Sequence, residues 1–538
     1  MNTSLIAINA KNIHKSSALW YLKAYCEEKK IENISVIEVN INDKIYETVS
    51  KIYETKPTVA AFSCYIWNID YVNKIAPLLK KLLPNLTIVL GGPEVSFEKD
   101  LSDYPYADYI IKGAGEKAFY ELLVQIEKNG CAETKIINGC ELGFENYPLP
   151  YTDDYFNSFQ NNQIPYIQNQ LVYYESSRGC PFSCAYCLSS TDKGVRYLPI
   201  ERVKQDLLLF IKHEAKCVKF VDRTFNSDKK RAKQILEFIS NLNTDCVFHF
   251  EVAADLFDDE LLSIVEKLPI ERVQFEIGIQ TINEKSIAAV SRKTDTALAL
   301  QNIKKLTSFQ NCHIHVDLIA GLPHETLATF AESVNQCMLC RPNMLQLGFL
   351  KMLKGTRIRK ESGDFKAVFA DFAPYEVYQT KTMPHSDFIK LKKIEGIIDR
   401  FYNCGGFALS VEYGVKLLGS PYNFFDAFSD YLGGTGEIKL SLKSAYTVLY
   451  NFLSANGGGD EAAHRIKFDC FAFDAGASLP DTIPQQRNKQ AELSLKKEFE
   501  HKKFRVEFFE FKKKNLLFNF EKKNPITSRY ESKEITIN

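Results

Sequence analysis

Cys180, Cys184 and Cys187 stand in one short run, Ser177-Arg178-Gly179-Cys180-Pro181-Phe182-Ser183-Cys184-Ala185-Tyr186-Cys187, at a C-x3-C-x2-C spacing. Spacing this tight lets three thiolates converge on one metal centre from a single loop. Iron–sulfur clusters normally take four cysteines, and no fourth follows closely, since the next is Cys217. A 4Fe–4S cluster held here keeps one iron open to a non-protein ligand. A zinc site prefers paired C-x2-C units and four closed ligands, and the second pair is missing. Chance grouping of buried cysteines is the remaining account.

The elements that must carry this loop come in two series. Residues 1 to about 130 alternate candidate strands (Ser4–Asn9, Ile34–Asn40, Thr58–Cys64, Thr87–Gly91, Asp108–Ile111) with helical patterns (Ser16–Lys29, Lys44–Glu54, Asp70–Leu83, Glu116–Lys128). Strands spaced by helices imply βαβ units and a parallel sheet. A five-stranded doubly wound, Rossmann-like α/β domain is expected, with ligands held beyond the carboxyl ends of its strands. Gly91-Gly92-Pro93 and Gly113-Ala114-Gly115-Glu116 fall at that end. Residues 139–170, with Pro148, Pro150, Pro165 and a polar run from Asn157 to Gln163, read as a linker over the surface.

From Leu171 six strand–helix units follow, with strands at Val172–Ser176, Cys217–Val221, Val247–Ala253, Val273–Ile279, His313–Ile319 and Leu345–Lys351. Six units predict an open, partial (βα)6 barrel, with active groups at the carboxyl ends of its strands. Asp222, Arg223, Glu251, Glu276, Gln280 and Asp317 interrupt the apolar strands near those ends, where a core explanation costs most. A structural role stays open for each. Cys337 and Cys340 form a C-x2-C, but on a helical pattern, so a helix face is preferred to a second metal site.

These segments resemble the radical S-adenosylmethionine (SAM) enzymes, in the class with an N-terminal cobalamin (B12)-binding domain. The resemblance covers about residues 1 to 360 and rests first on the cysteine motif. It implies a 4Fe–4S cluster on Cys180, Cys184 and Cys187, with SAM chelating the open iron and yielding a 5′-deoxyadenosyl radical. Tyr186 matches the family's aromatic beside the adenine. Asp222 and Arg223, in Val221-Asp222-Arg223-Thr224-Phe225, match the second-strand segment facing the methionyl amine. Glu251 matches the third-strand glutamate, and Gln280 closes the E-x-G-x-Q-S/T of the fourth strand. Arg292 matches an arginine that meets the SAM carboxylate, a task suited to a guanidinium fork. Asp317 sits in the matching fifth strand, and Lys354-Gly355-Thr356 matches the turn after the sixth. In the first domain, Gly91, Gly92, Pro93 and Ser96 match the G-G-P-x-x-S/T turn of cobalamin modules. Gly113, Gly115 and Glu116 match G-E-G-E, with alanine in the second place. The D-x-H-x-x-G motif that supplies a cobalt-binding histidine is missing, so His14 reads as a loop residue.

Residues 371–538 read as a mostly helical cap or substrate domain with a terminal hairpin. Helical patterns lie at Ser386–Asn403 and Ser441–Ala455, and the hairpin at Phe504–Phe511 and Leu516–Phe520 turns on Lys512-Lys513-Lys514-Asn515. Gly433-Gly434-Thr435-Gly436 and Gly457-Gly458-Gly459-Asp460 read as turns. Aromatic richness there fits a buried interface or an organic-ligand pocket.

At 538 residues the chain supports two to four domains; the division expected is 1–138, linker 139–170, 171–370 and 371–538. With 67 basic and 67 acidic residues, no global field recruits nucleic acid or anionic lipid. No stretch approaches a membrane span. The 14 cysteines have no disulfide framework, so a cytoplasmic protein is expected. The expected function is radical SAM chemistry with cobalamin-dependent methyl transfer to an unactivated centre. The alternatives are a rearrangement or oxidation without cobalamin, and a non-enzymatic Fe–S or zinc RNA-binding protein using the basic hairpin. Expected partners are a small-molecule or peptide substrate and a reductant such as flavodoxin or ferredoxin. No side chain is singled out as acting on the substrate itself.

Overall fold

The structure, a computed structural model, describes every residue except 141, 162–163, 166–170, 193, 434–437, 496–502 and 537–538. The expected turn over residues 434–436 and part of the 139–170 segment lie outside the described residues.

The first sheet is built by β1 (Thr3–Asn9), β2 (Ile34–Asn40), β3 (Val59–Ser63), β4 (Thr87–Gly91), β5 (Tyr109–Lys112) and β6 (Ile136–Asn138), in the order β2-β1-β3-β4-β5-β6 and all parallel. Side chains alternate across a strand, so Ile6 and Ile8 pack on the face with Val49, Ile52, Val72 and Leu79, while Leu5 and Ala7 join Leu19, Phe119 and Leu122 on the other. Helices on both faces make it doubly wound. The sixth strand escapes sequence reading because three residues show no period.

Two findings differ from expectation. The 139–170 segment does not wrap the surface where it is described: Phe144, Tyr147, Tyr151, Tyr155, Phe156 and Phe159 are buried. Tyr151 stands edge-on to Phe210, Tyr155 edge-on to Trp20, and Phe156 stacks on His213. The prolines and polar residues suggested a solvated strap; the interleaved aromatics wedge it inward. At the C-terminus, the expected hairpin is part of a three-stranded antiparallel sheet. Helices at Ala408–Leu418, Pro421–Leu432 and Gly459–Phe473, unmarked in the sequence reading, also appear. Gly459 opens a helix instead of a turn.

Six strands make the second parallel sheet: β7 (Leu171–Tyr174), β10 (Cys217–Phe220), β11 (Val247–Val252), β12 (Val273–Gln280), β13 (His313–Ala320) and β14 (Met344–Phe349). Between β7 and β10 lies the antiparallel hairpin β8 (Ser177–Cys180) and β9 (Gly194–Tyr197), with Cys180 opposite Gly194. β15 (Phe504–Phe509), β16 (Lys514–Lys523) and β17 (Tyr530–Ile535) form the C-terminal sheet. The α/β class and the partial (βα)6 arrangement are as expected.

The chain folds into two compact units. The first comprises Met1–Val252, Val290–Lys293 and Leu350–Val377; the second comprises Ala253–Ala289, Thr294–Phe349 and Tyr378–Asn538. In the second, Phe401, Phe407, Phe424, Phe428, Tyr446 and Phe452 form an aromatic core among the helices. Cys337 is buried on the helix Leu327–Leu339, and Cys340 is buried just beyond its end. Among the described residues, no helix is long and apolar enough to cross a membrane.

Candidate functional site

The cysteine loop begins where β7 ends, and a buried carboxylate fixes its start. Asp222, just beyond β10, accepts from the Ser176 N–H (2.8 Å), the Ser177 N–H (3.0 Å) and the Ser176 hydroxyl (2.5 Å). Burial raises its pKa against the pull of those donors. Arg231 clamps the same turn through the Ser176 and Leu198 carbonyls. Asp222 therefore acts on the loop through backbone, an arrangement the sequence does not reveal.

Within the loop, Cys184 is buried, while Cys180 and Cys187 are half-buried. Burial pushes the Cys180 thiol up, and the sulfurs of Cys187 and Cys184 are near enough to push it further. The Thr224 hydroxyl lies 3.8 Å from the Cys180 sulfur. Arg292 donates to the Tyr186 hydroxyl (3.1 Å), and its Nη1 stands 3.9 Å from the Cys184 sulfur. Burial drives the Tyr186 phenol far up, with Arg292 opposing. Residues 106 and 108 positions apart in sequence thus meet at the loop. Among the described residues, no three His, Cys, Asp or Glu side chains stand grouped so as to hold a metal ion. The donor set still fits an iron–sulfur cluster: between Cys180 and Cys187 the loop offers three soft sulfurs and no carboxylate or imidazole.

The remaining barrel residues share faces as a strand's period requires. On β11, Val247, His249 and Glu251 are half-buried while Phe248 and Phe250 are buried. On β12, Gln274, Glu276, Gly278 and Gln280 make up the half-buried face, and on β13 it is His313, His315, Asp317 and Ile319. Each polar face belongs to a strand whose other face is apolar core. Arg223 is exposed just past β10. Asp317 lies 3.0 Å from Nε2 of His315, two residues earlier on the same face. Gln280 ends β12 at φ +70, beside a register shift against β13. Its Oε1 is buried without a partner among the described residues. Next to it, Thr281 donates to Glu325 (2.6 Å), which lies in the turn after β13. Glu325 is fully buried, which pushes its pKa up to about 8, and its second oxygen has no partner among the described residues. Sequence reading missed Glu325, because a glutamate in a loop carries no mark of burial.

At the carboxyl end of the first sheet the glycines have separate tasks. Gly92 has φ +107, and a Cβ there would lie 2.6 Å from the Cys64 carbonyl oxygen, so it serves backbone crossing. Pro93 follows it and opens a turn. Gly113, at φ +73, borders open space, where a ligand could approach the backbone. Ser96 joins the two turns, donating to the Gly92 carbonyl (2.8 Å) and accepting weakly from the Gly113 N–H (3.5 Å). A Cβ on Gly91 would meet the Ile111 carbonyl at 3.8 Å, and one on Gly115 would meet Leu22 at 3.4 Å. Glu116, also expected at the ligand, pairs with Arg178 (3.1 Å). His14 accepts from or donates to the Tyr173 hydroxyl (2.5 Å). Tyr65 and Trp67, just after β3, stack 4.2 Å apart at this same end. The open backbone at Gly113 and the Ser96 bridge fit the tail of a bulky cofactor.

Three family models match along the chain. The B12-binding domain family matches residues 3–123 and the Radical SAM superfamily matches residues 174–337. A family described as a protein of unknown function, DUF4080, matches 363–528. A 2-(S-pantetheinyl)-carbapenam-3-carboxylate methyltransferase of Streptantibioticus cattleyicolor is 26% identical over 53% of this chain and 45% of its own. The cobalamin-dependent radical SAM methyltransferase TokK of Streptomyces tokunonensis is 27% identical over the same shares, 53% and 45%. The chain thus spans about half the length of these relatives. Among solved structures, the cobalamin-dependent S-adenosylmethionine radical enzyme OxsB with aqua-cobalamin bound shares the fold. Its TM-score is 0.60, with 12% identity over 87% of this chain and 79% of that one. Both domain families are matched in the expected order: the chain carries a B12-binding domain followed by a Radical SAM domain.

Proposed function

We propose that this protein is a cobalamin-dependent radical SAM methyltransferase that methylates an unactivated centre of a small-molecule or peptide substrate. The observation that carries the reading is one compact unit holding both halves. The three-cysteine loop, with Arg292 and Tyr186 against it, shares the unit with the glycine turns at Gly92 and Gly113. Cys180, Cys184 and Cys187 would hold a 4Fe–4S cluster; Gly91, Gly92, Pro93, Ser96, Gly113 and Gly115 would border cobalamin. When bound, these groups with SAM supply a 5′-deoxyadenosyl radical and a transferable methyl group.

The chain's own residues orient and shield. Tyr186 and Arg292 sit together beside Cys184, where they would meet the SAM adenine and carboxylate. Glu251, Gln280 and Asp317 offer acceptors on the polar strand faces, and exposed Arg223 offers a second cation. Asp222 supports them by holding Ser176 and Ser177. Glu116 pairs with Arg178 at the start of the cysteine loop. His14 is engaged by the Tyr173 hydroxyl and is given no part in holding cobalamin.

We keep the division 1–138, 139–170, 171–370 and 371–538, and assign substrate recognition to the last part. All 14 cysteines are free, which suits the reducing cytoplasm. An electron donor such as flavodoxin or ferredoxin completes the system.

The test is growth with cobalamin and purification under nitrogen. The expected protein carries iron, sulfide and corrin absorbance, and releases S-adenosylhomocysteine and 5′-deoxyadenosine from SAM. Iron and sulfide without corrin, even after incubation with excess hydroxocobalamin, would overturn the cobalamin assignment.

A further inference from the structure

We propose that Arg178 is a positioning residue which ties the cysteine loop to the glycine turn of the first sheet, so that Glu116 governs the geometry of a loop 62 residues away. The proposal rests on the assignment of Cys180, Cys184 and Cys187 as cluster ligands.

Arg178 lies on β8, two residues before Cys180. Its Nε and Nη2 grip both oxygens of Glu175, at 3.1 and 2.8 Å. The same Nη2 reaches Glu116 Oε1 at 3.1 Å, across 62 positions of sequence. The guanidinium lies 4.9 Å from the ring centres of both Phe144 and Tyr147, and 5.9 Å from that of Tyr21. Glu116 is 7% exposed and Arg178 16%, so these pairs are weakly screened. Glu116 opens the helix Glu116–Asn129 immediately after Gly113-Ala114-Gly115. The chain of contacts therefore runs from the open Gly113 turn to Glu116, to Arg178, and along β8 to Cys180.

The carboxylates divide the work unequally. Glu175 precedes Arg178 by three residues and satisfies the fork locally, so it orders the side chain without reaching the first sheet. Glu116 adds the long-range hold. Losing Glu116 leaves Arg178 paired and the local fold intact, whereas losing Arg178 leaves two partly buried carboxylates facing one another. Glu116→Ala is thus the informative variant, and Arg178→Lys, which keeps the charge but not the fork, is its milder partner.

A second pin of the same kind stands on the other glycine turn. Lys354, after β14, pairs with Glu98 (2.6 Å) and Glu94 (3.5 Å), and the Tyr375 hydroxyl bonds Glu94. In this unit, acids beside both glycine turns face protein cations and leave the backbone to the ligand.

The experiment measures iodoacetamide alkylation of Cys180 in the cluster-free full-length protein, mapped by mass spectrometry, and the electron paramagnetic resonance spectrum of the reduced, reconstituted protein. Glu116→Ala should speed Cys180 alkylation by about fivefold or more, the scale of one charge-assisted bond lost. It should also shift the cluster spectrum. Glu116→Gln and Arg178→Lys should both fall between Glu116→Ala and wild type. The double variant should exceed neither single by more than about twofold, because both remove one connection. Wild-type alkylation and spectrum in a folded Glu116→Ala protein, or effects that multiply in the double variant, would overturn the tie. Wild-type protein that takes up no iron and sulfide would instead sink the cluster assignment, while the alkylation rates still decide the role of Arg178.

Discussion

At the scale of single residues, Arg292 carries the most exposed consequence. It meets Tyr186 and Cys184 from a segment more than a hundred positions away. Arg292→Ala should weaken SAM binding by about 1.5–3 kcal/mol, the loss of a hydrogen-bonded charge; equilibrium dialysis with SAM checks it, and unchanged affinity would remove Arg292 from the pocket. Glu325 makes a pH prediction. Its ordinary pKa of 4.5 is held up to about 8 by burial. Between those values the unfolded chain releases a proton that the folded chain keeps. Stability from this group is therefore full below about pH 4.5 and falls as pH rises towards 8, by at most roughly 4–5 kcal/mol. Glu325→Gln, which cannot ionise, should flatten the fall; parallel melting curves for both proteins from pH 5 to 8.5 would contradict it. The cysteine spacing and Arg292 were legible because motif residues keep their chemistry in one dimension. The anchoring by Asp222 and the burial of Glu325 were not, since a hydrogen bond to Ser176 or a dry turn is made only by folding.

At the scale of elements, the strands of both parallel sheets could be read within a residue or two, because near-continuous apolar runs leave little freedom. The edge strand β6 and the aromatic segment from Phe144 to Phe159 could not. One is too short for a period, and the other places large rings where composition suggested solvent. The helices of residues 408–473 were partly hidden by glycines at their ends. Their packing depends on buried charge: Asp469 accepts from Leu409 N–H, Ser410 N–H and the Ser410 hydroxyl, and pairs with Arg529 at 2.6 Å, just before β17. Burial raises the Asp469 pKa, with Arg529 opposing. Arg529→Met should cost about 3 kcal/mol, the low end for breaking a buried pair because three donors remain. Chemical denaturation reads it, and a loss under about 0.5 kcal/mol would mean that the pair contributes nothing.

At the scale of the whole molecule, the assignment of substrate recognition to residues 371–538 predicts the outcome of cutting the chain before Phe372. The shortened protein should cleave SAM without methylating substrate, or aggregate through uncovered apolar surface; full methyl transfer by it would refute the assignment. The discontinuity of the first unit reaches further, into the order of synthesis. Its segments end at Val252, Lys293 and Val377, so a nascent chain that has completed β11 still lacks Arg292, Lys354 and Tyr375. About 125 more residues must be added, which takes roughly 6–25 s at ordinary elongation speeds. The cysteine loop thus leaves the ribosome long before the arginine that stands beside it.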